Sequence, residues 1–187
     1  MLGEPIVNEE KELIRRFNSG QSQALHCIYE RYKIALSRVA RALLNDPTGS
    51  EDVLHDVFIQ FAAQSGRFCL KGSLKGYLAI CVANRARNVN QQARPVDPER
   101  FRAARILHQE ANHPVQVAEH SELLQTLISA LQQLPEEQRQ VIALHVLGDL
   151  RFREIAKMSK VSIHTIQSRY RYGLQKLQAR LNGELER

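Results

Sequence analysis

A short stretch near the end of the chain carries side chains that could read DNA. Apolar residues recur there at three- and four-residue steps, which predicts a helix with one buried stripe. The stripe consists of Ile163, Ile166, Tyr170, Leu174 and Leu177. The residues left facing outward are His164, Thr165, Gln167, Ser168 and Arg171. Because this outward set is basic and hydrogen-bonding and contains no carboxylate, it suits phosphates and base edges in a major groove. A solvated face on a three-helix bundle would account for the same residues.

A second helix is predicted immediately before this one. Leu150, Ile155, Ala156 and Met158 give it an amphipathic pattern. Ser162 is a good N-cap for the helix that follows, after a turn of about four residues. Two short helices joined by so tight a turn predict a helix-turn-helix, in which the second helix enters the major groove.

A ridge of opposite charge is predicted on an earlier helix, which we expect Ser50 to cap. One face of that helix is apolar and contains Val53, Leu54, Val57, Phe58 and Phe61. The other faces carry Asp52, His55, Asp56 and Gln60. On a basic protein this acidic ridge either serves solubility alone or docks a basic partner, and the residues themselves leave both explanations open.

The segment 65–73 combines apolar and cationic side chains in a loop. Gly66 and Gly72 exclude regular structure there, so Phe68, Arg67 and Lys71 are expected to lie where no helix buries them. This combination suits unstacked bases and their phosphates. The helix predicted next, from about residue 74 to 92, carries Lys75, Asn84 and Arg85 on its more polar surface.

Helices are the elements that must position all these groups. The 187 residues contain no Trp and only 9 Gly and 6 Pro, which favours an all-α protein. Further helices are predicted at about 8–18 and 22–44, after Ser121, and from Pro135 onward. Between them, residues 94–120 contain three prolines and little periodicity. We therefore expect two small helical domains, 1–93 and 121–187, joined by the linker 94–120, with the helix-turn-helix at the end of the second.

The composition excludes several classes of protein. The net charge of +6 suits an anionic partner such as nucleic acid. No apolar run approaches the roughly 20 residues of a membrane helix, so we expect a cytoplasmic protein without membrane insertion. Cys27, Cys69 and Cys81 are too widely spaced for a metal site and are expected to be reduced and mostly buried thiols. Since no phosphate loop or catalytic triad is present either, we expect no enzymatic activity, cofactor or metal.

Three motifs resemble, in the same order, those of the extracytoplasmic-function sigma factors, the small two-domain members of the bacterial RNA polymerase sigma family. The first conserved block of that family is similar to IYERYKIALSRVARALLNDPTGSEDVLHDVFIQFA. The next, a helix with a "WL…A.N" pattern, is similar to GSLKGYLAICVANRARN. The terminal domain of the family is similar to LPEEQRQVIALHVLGDLRFREIAKMSKVSIHTIQSR.

The resemblance implies a sigma factor that directs core RNA polymerase to promoters and nucleates melting of their −10 element. It places the helix 50–62 on the clamp helices of the largest polymerase subunit, and implies contact with the flap of the second-largest subunit. It assigns capture of a flipped −10 base to Phe68 and Asn84, with Lys71, Lys75 and Arg85 beside them. The outward set of the last helix would read the −35 element. An anti-sigma factor is expected as a further partner.

The sequence departs from the family pattern at several positions. Tyr77 stands where Trp is usual, His55 replaces a common Gln, and Lys160 occupies a turn position usually held by Gly. Gln167 and Tyr172 replace basic residues, which weakens the electrostatic grip on the −35 element.

Two other functions are alternatives to that of a sigma factor. A stand-alone helix-turn-helix regulator would bind a palindromic duplex as a dimer, without polymerase. A helical adaptor with solvated basic faces would bind no nucleic acid at low salt.

Overall fold

The computed structural model describes residues 4–70, 72–93 and 122–185 and contains no strand within those ranges. The first four helices are α1 (Glu4–Asn18), α2 (Ser22–Leu43), α3 (Ser50–Ala62) and α4 (Leu74–Gln92). They are followed by α5 (Glu122–Gln132), α6 (Glu136–Ile142), α7 (Phe152–Ser159) and α8 (Ile163–Leu185). A π-helical turn, Ala143–Leu147, extends α6. The predicted all-α class is confirmed.

Helix α2 lies at the centre of the first four helices. Its apolar residues recur at helical spacing and are buried against α1, α3 and α4. They include Ala24, Ile28, Tyr32, Leu36, Val39 and Leu43. The burial of this stripe fixes the positions of α3 and α4, which carry most of the candidate site residues of the first half of the chain.

Several predicted helix starts are displaced by a few residues. Helix α1 begins at Glu4, before the predicted start at about residue 8. Ser50 is the buried first residue of α3, and Gly49 occupies the N-cap position because a 3-10 turn, Pro47–Gly49, leads into the helix. Pro135 is likewise the N-cap of α6 rather than its first residue.

The helix-turn-helix formed by α7 and α8 is present as predicted. The Ser162 hydroxyl accepts a hydrogen bond of 3.1 Å from the Thr165 backbone N–H, which is the geometry of an N-cap. In the turn, Lys160 adopts the left-handed conformation with φ of 54°. The predicted buried stripe is wrong at Leu174, which is 38% exposed. Its neighbour Gly173 is the buried residue.

Gly173 allows α8 to lie close to α6. A Cβ atom at this position would lie 2.7 Å from Ile142 Cδ1 and 3.2 Å from Gln138 Cβ. A Cβ atom 2.7 Å from Ile142 Cδ1 would force one of the two residues to shift. Because glycine has no Cβ atom, this position can face α6, and Leu174 then lies outside. Glycine here serves the packing of the helix pair.

The first four helices and the last four pack against each other. The Gln132 amide donates a 3.0 Å hydrogen bond to the Arg41 carbonyl, and Arg139, which is only 5% exposed, donates one of 3.1 Å to Asn45. Apolar contact continues between α4 and the turn after α6, where a Cβ atom on Gly148 would lie 3.2 Å from that of Ala79. One hydrophobic core therefore extends through both halves.

Candidate nucleic-acid interface

The outward face of α8 presents polar and basic groups to solvent. His164, Gln167 and Arg171 are exposed, whereas Thr165 and Ser168 are half-buried. The Thr165 hydroxyl lies 2.9 Å from that of Ser162 and so takes part in the N-cap. Three of the five predicted base-reading residues are thus exposed, and two are partly buried. Their role in DNA binding stays a prediction.

Arg171 is held beside an aromatic ring. Its guanidinium carbon lies 5.1 Å from the centroid of the Tyr172 ring, which is within the range of a cation–π contact. Tyr172 is 50% exposed. Tyr172 lacks the positive charge expected at this position, but its ring holds the guanidinium of Arg171 in place.

Three aromatic rings fix the helix-turn-helix from within. The His145 ring lies 4.3 Å from Phe152 and 5.1 Å from Tyr170, centroid to centroid, and the last two rings are 5.0 Å apart. His145 Nδ1 lies 2.8 Å from the Leu150 carbonyl oxygen, which can only accept, so Nδ1 carries the proton. This cluster ties both helices of the motif to the end of α6. No periodicity in the sequence links these three residues, so the cluster could not be predicted from local pattern.

The prediction that Phe68 lies where no helix buries it is wrong. The side chain is 7% exposed, and its ring lies 5.0 Å from Phe61 and 4.9 Å from Tyr77. Phe17 of α1 completes the cluster by stacking on Phe61 at 4.5 Å. The loop folds back over these rings because burial of the large apolar surface of an aromatic side chain stabilises the folded protein. Capture of a base by Phe68 stays a prediction.

Helix α4 brings part of the candidate −10 set together. Tyr77 and Asn84 are seven residues apart and so lie on one face, two turns or about 10 Å along the axis. Asn84 is exposed. Phe68 therefore lies at the beginning of the face that presents Asn84. Lys71, the other loop residue in the candidate set, lies outside the described residues.

Arg85 and Asp56 were predicted to face different partners, but they bind each other. Arg85 Nε donates a hydrogen bond of 2.8 Å to Asp56 Oδ2, and both side chains are about one-third exposed. The pair connects the helix that carries Asn84 to the helix of the acidic ridge. Lys75 is also paired, with Asp149 of the second half.

The acidic ridge on α3 has an apolar centre. Asp52, His55 and Gln60 are exposed and Asp56 is half-buried. Ile59 lies on the same face and is 55% exposed, the largest exposed fraction among the large apolar residues described. Ile59 falls outside the predicted buried stripe of α3, and this position is the signal in the sequence from which its exposure could be predicted. An apolar residue surrounded by acidic and polar groups is typical of a docking surface.

The thiols are more accessible than predicted. Cys27 and Cys69 are exposed and Cys81 is half-buried, so the expectation of mostly buried thiols is wrong. All three are free cysteines. Burial raises the pKa of the Cys81 thiol, and a hydrogen bond with Tyr77 opposes that shift. Burial also raises the pKa of Tyr77, whose hydroxyl donates to Gln64 at 3.0 Å.

Within the described ranges, no cluster of three or more His, Cys, Asp or Glu side chains is arranged to hold a metal ion. None of the helices described has the length and apolar character required to span a membrane.

Two family models match this chain, one in each half. Residues 28–94 match Sigma-70 region 2, and residues 124–177 match Sigma-70, region 4. The ECF RNA polymerase sigma-E factor of Escherichia coli K12 is 25% identical over 170 residues, which cover 86% of this chain and 87% of that protein. The RNA polymerase sigma-H factor of Pseudomonas aeruginosa is 23% identical, with coverage of 86% and 88%.

Solved structures share the fold. CnrH in complex with the cytosolic domain of CnrY matches with a TM-score of 0.63 and 22% identity, over 91% of this chain and 96% of that one. The sigma factor RpoE from Bartonella quintana, in complex with the anti-sigma factor NepR, matches with a TM-score of 0.62 and 23% identity, over 84% and 96%. The arrangement of helices described above is therefore one that other proteins adopt.

Proposed function

Because this chain belongs to the extracytoplasmic-function group of the sigma-70 family, we propose that it directs core RNA polymerase to specific promoters and nucleates melting of their −10 element. Proteins of this family are transcription initiation factors and perform no chemistry themselves. The observation that carries the proposal is the order of the two matched regions: 28–94 contains the candidate docking and −10 surfaces, and 124–177 contains the candidate −35 surface.

We assign polymerase binding to the exposed face of α3. Asp52 and His55 share that face with Ile59, and Gln60 follows it, so a partner with an apolar centre and a basic group would bury one isoleucine and pair with Asp52. The partner proposed is the pair of clamp helices in the largest polymerase subunit. The second domain would meet the flap of the second-largest subunit.

We assign the two promoter elements to the two halves of the chain. The helix α8 would read the −35 duplex in the major groove through His164, Gln167 and Arg171. The face of α4 that carries Asn84 would take a base from the melted −10 strand, because a base can be recognised on its pairing edge only after it leaves the stack. Once polymerase holds both halves, each weak contact gains from the other through effective concentration.

The domain boundaries belong to this proposal. We place the −10 domain at 1–93, the linker at 94–120 and the −35 domain at 121–187. The linker lies outside the described residues. We propose that the two halves separate from the packing seen here when both elements are read, and a linker of this length would permit that.

An anti-sigma factor is the further partner proposed. Two of the similar solved structures are those of CnrH in complex with the cytosolic domain of CnrY and of RpoE in complex with the anti-sigma factor NepR. A protein of that kind would keep this chain away from polymerase. No metal or cofactor enters the proposal.

Transcription in vitro with core polymerase tests the proposed function directly. On a library of promoters, the protein is expected to change the start sites that polymerase uses; unchanged start sites would overturn the proposal. Within it, Asn84→Ala should impair melting more than duplex binding, and Arg171→Ala should weaken binding to the −35 duplex. Equal effects of both variants on both steps would contradict the assignment of the two elements.

The alternative, a stand-alone regulator that binds duplex DNA as a dimer, is not favoured. Such a regulator would not require the first matched region, Sigma-70 region 2. Tight and specific binding of the isolated chain to a palindromic duplex would favour this alternative over a sigma factor.

A further inference from the structure

The loop that leads into α4 is held from behind by the last residue of α1. The Asn18 side chain forms two hydrogen bonds with the backbone of Phe68: its Nδ2 donates to the Phe68 carbonyl at 2.8 Å, and its Oδ1 accepts from the Phe68 N–H at 3.2 Å. One amide group thus satisfies both backbone groups of a single loop residue. This is the pairing that a neighbouring strand would otherwise provide.

A second hydrogen bond ties the same loop to α1. The Ser65 hydroxyl donates to the Phe17 carbonyl at 2.7 Å. Between the two attachment points, Gly66 has a φ of +84°, which turns the chain back toward α1. The loop is therefore anchored at both ends of the turn, and both anchors lie in α1.

The anchoring fixes the direction of the neighbouring side chains. Arg67 and Cys69 are exposed while Phe68, between them, is buried. With the Phe68 backbone fixed and its ring in the aromatic cluster, the flanking side chains lie on the solvent side of the loop. Arg67 is thereby exposed to solvent in the loop that precedes α4.

We propose that Asn18 is a positioning residue for −10 recognition: it holds the 65–69 loop so that Arg67 contacts the melted promoter strand beside α4. This inference rests on the proposed function and extends the −10 surface to an element that precedes the matched region, which begins at residue 28. Arg67 supplies the cation for a phosphate of the strand. Asn18 touches no DNA and acts through the loop.

The first test measures the anchor without polymerase. In the free protein, Asn18→Ala is expected to accelerate hydrogen exchange at the Phe68 amide at least tenfold, while Arg15→Ala, a control on the same helix whose side chain bonds Glu12, leaves that rate unchanged. Asn18→Asp should accelerate exchange less than Asn18→Ala, because a carboxylate still accepts from the Phe68 N–H although it cannot donate to the Phe68 carbonyl. Unchanged exchange at Phe68 in both Asn18 variants would overturn the anchoring role.

The second test uses the assembled holoenzyme and a promoter with a fluorescent base in its −10 element. Asn18→Ala is expected to slow melting roughly tenfold, because the loop loses the two hydrogen bonds that hold it in position. It should also flatten discrimination among single-base variants of the −10 element. Arg67→Ala should reproduce the slower melting, and adding Asn18→Ala to it should cause little further loss. Affinity for core polymerase and for a −35 duplex should not change.

Each outcome of the holoenzyme test has a definite meaning. A uniform loss of polymerase binding, −35 binding and melting would identify Asn18 as merely structural and overturn the inference, as would unchanged −10 discrimination. Additive effects of the Asn18 and Arg67 variants would separate the two residues and overturn it too. If the unaltered chain fails to redirect polymerase, the proposed function fails first, and the exchange measurement still decides whether Asn18 anchors the loop.

Discussion

The ammonium group of Lys75 on α4 lies 2.5 Å from a carboxylate oxygen of Asp149, 74 positions later in the chain. Asp149 belongs to the turn that precedes the helix-turn-helix. One of the candidate −10 residues is therefore bound to the second half of the protein. Contact between Lys75 and a promoter requires this ion pair to separate.

We expect Asp149→Asn to weaken the contact between the two halves. Asparagine suits this position because Asp149 has a φ of 58°, which Asn tolerates better than most residues. Since the lysine and aspartate side chains are 24% and 69% exposed, the pair should contribute less than about 1 kcal/mol to the free energy of unfolding. A double-mutant cycle with Lys75→Met, measured by urea unfolding, should give that coupling at low salt and none at 1 M salt. Equal coupling at both salt concentrations would contradict the prediction.

Ile59 should contribute to polymerase binding. Ile59→Ala removes the apolar centre of the ridge, and we expect a loss of affinity for core polymerase of about 1–2 kcal/mol, the usual range for a buried aliphatic group at an interface. Ile34→Ala is the matched control, since Ile34 is also exposed, at 43%, but lies on α2. Affinity can be measured by fluorescence anisotropy with labelled protein. Equal losses for both variants would remove Ile59 from the docking surface.

Local pattern was sufficient to predict most of the helices. The predicted bounds of α4, about 74 to 92, agree with the observed Leu74–Gln92, and the Ser73 hydroxyl accepts from the Gly76 N–H at the helix start. The helix-turn-helix could be predicted equally well, because its N-cap and its apolar spacing are properties of consecutive residues. Helix starts were less accurate where a 3-10 turn intervenes, as before Ser50.

The site was predictable only as a set of residue types. Phe68 was expected in an open loop because its burial depends on aromatic rings elsewhere in the chain, including Phe17, 51 positions earlier. Asp56 and Arg85 were assigned separate roles, although 29 positions apart they bind each other. Leu174 was expected inside because spacing alone cannot show that Gly173 must face Ile142. These relationships depend on which helices pack together, and a single sequence does not contain that information in any local pattern.

Lys160→Gly should stabilise the protein. Lys160 holds a left-handed conformation with φ of 54°, which costs a residue with a Cβ atom about 1 kcal/mol relative to glycine. We therefore expect the variant to gain somewhat under 1 kcal/mol in the free energy of unfolding, after the larger chain entropy of glycine in the unfolded state is subtracted. Urea unfolding provides the measurement. Lys160→Ala, which removes the charge and keeps the Cβ atom, should give no such gain; if it gives the same gain, backbone strain is not the cause.

The three thiols should react at different rates. Alkylation requires the thiolate, and burial raises the pKa of Cys81, so we expect it to be modified last by iodoacetamide at pH 8. Cys27 and Cys69 are exposed and should react first. Mass spectrometry of the digested protein gives the order. Urea should abolish the difference, because unfolding removes the burial; early modification of Cys81 in the folded protein would contradict the structure.

Arg171 should make a salt-dependent contribution to −35 binding. The ring of Tyr172 holds its guanidinium on the exposed surface of α8, so Arg171→Ala removes a cation that is already oriented. If Arg171 contacts a phosphate, the loss is expected to be similar on all −35 sequences, with a decrease of about one in the slope of affinity against salt. If it contacts a base edge, the loss should be about 1–3 kcal/mol and confined to one position of the element.

Adding a positive charge at Gln167 is the experiment that complements Arg171→Ala. Gln167 is exposed on the same face as Arg171, one turn earlier, where the family has Lys or Arg. Gln167→Arg should therefore raise affinity for −35 duplexes and increase the salt slope by about one. Lys33→Ala, which alters a cation of α2 bonded to Glu30, is the control and should leave both quantities unchanged. Binding of holoenzyme to labelled duplexes at several salt concentrations distinguishes the variants. If neither Arg171→Ala nor Gln167→Arg moves the salt slope, α8 does not lie against the phosphates of the −35 duplex.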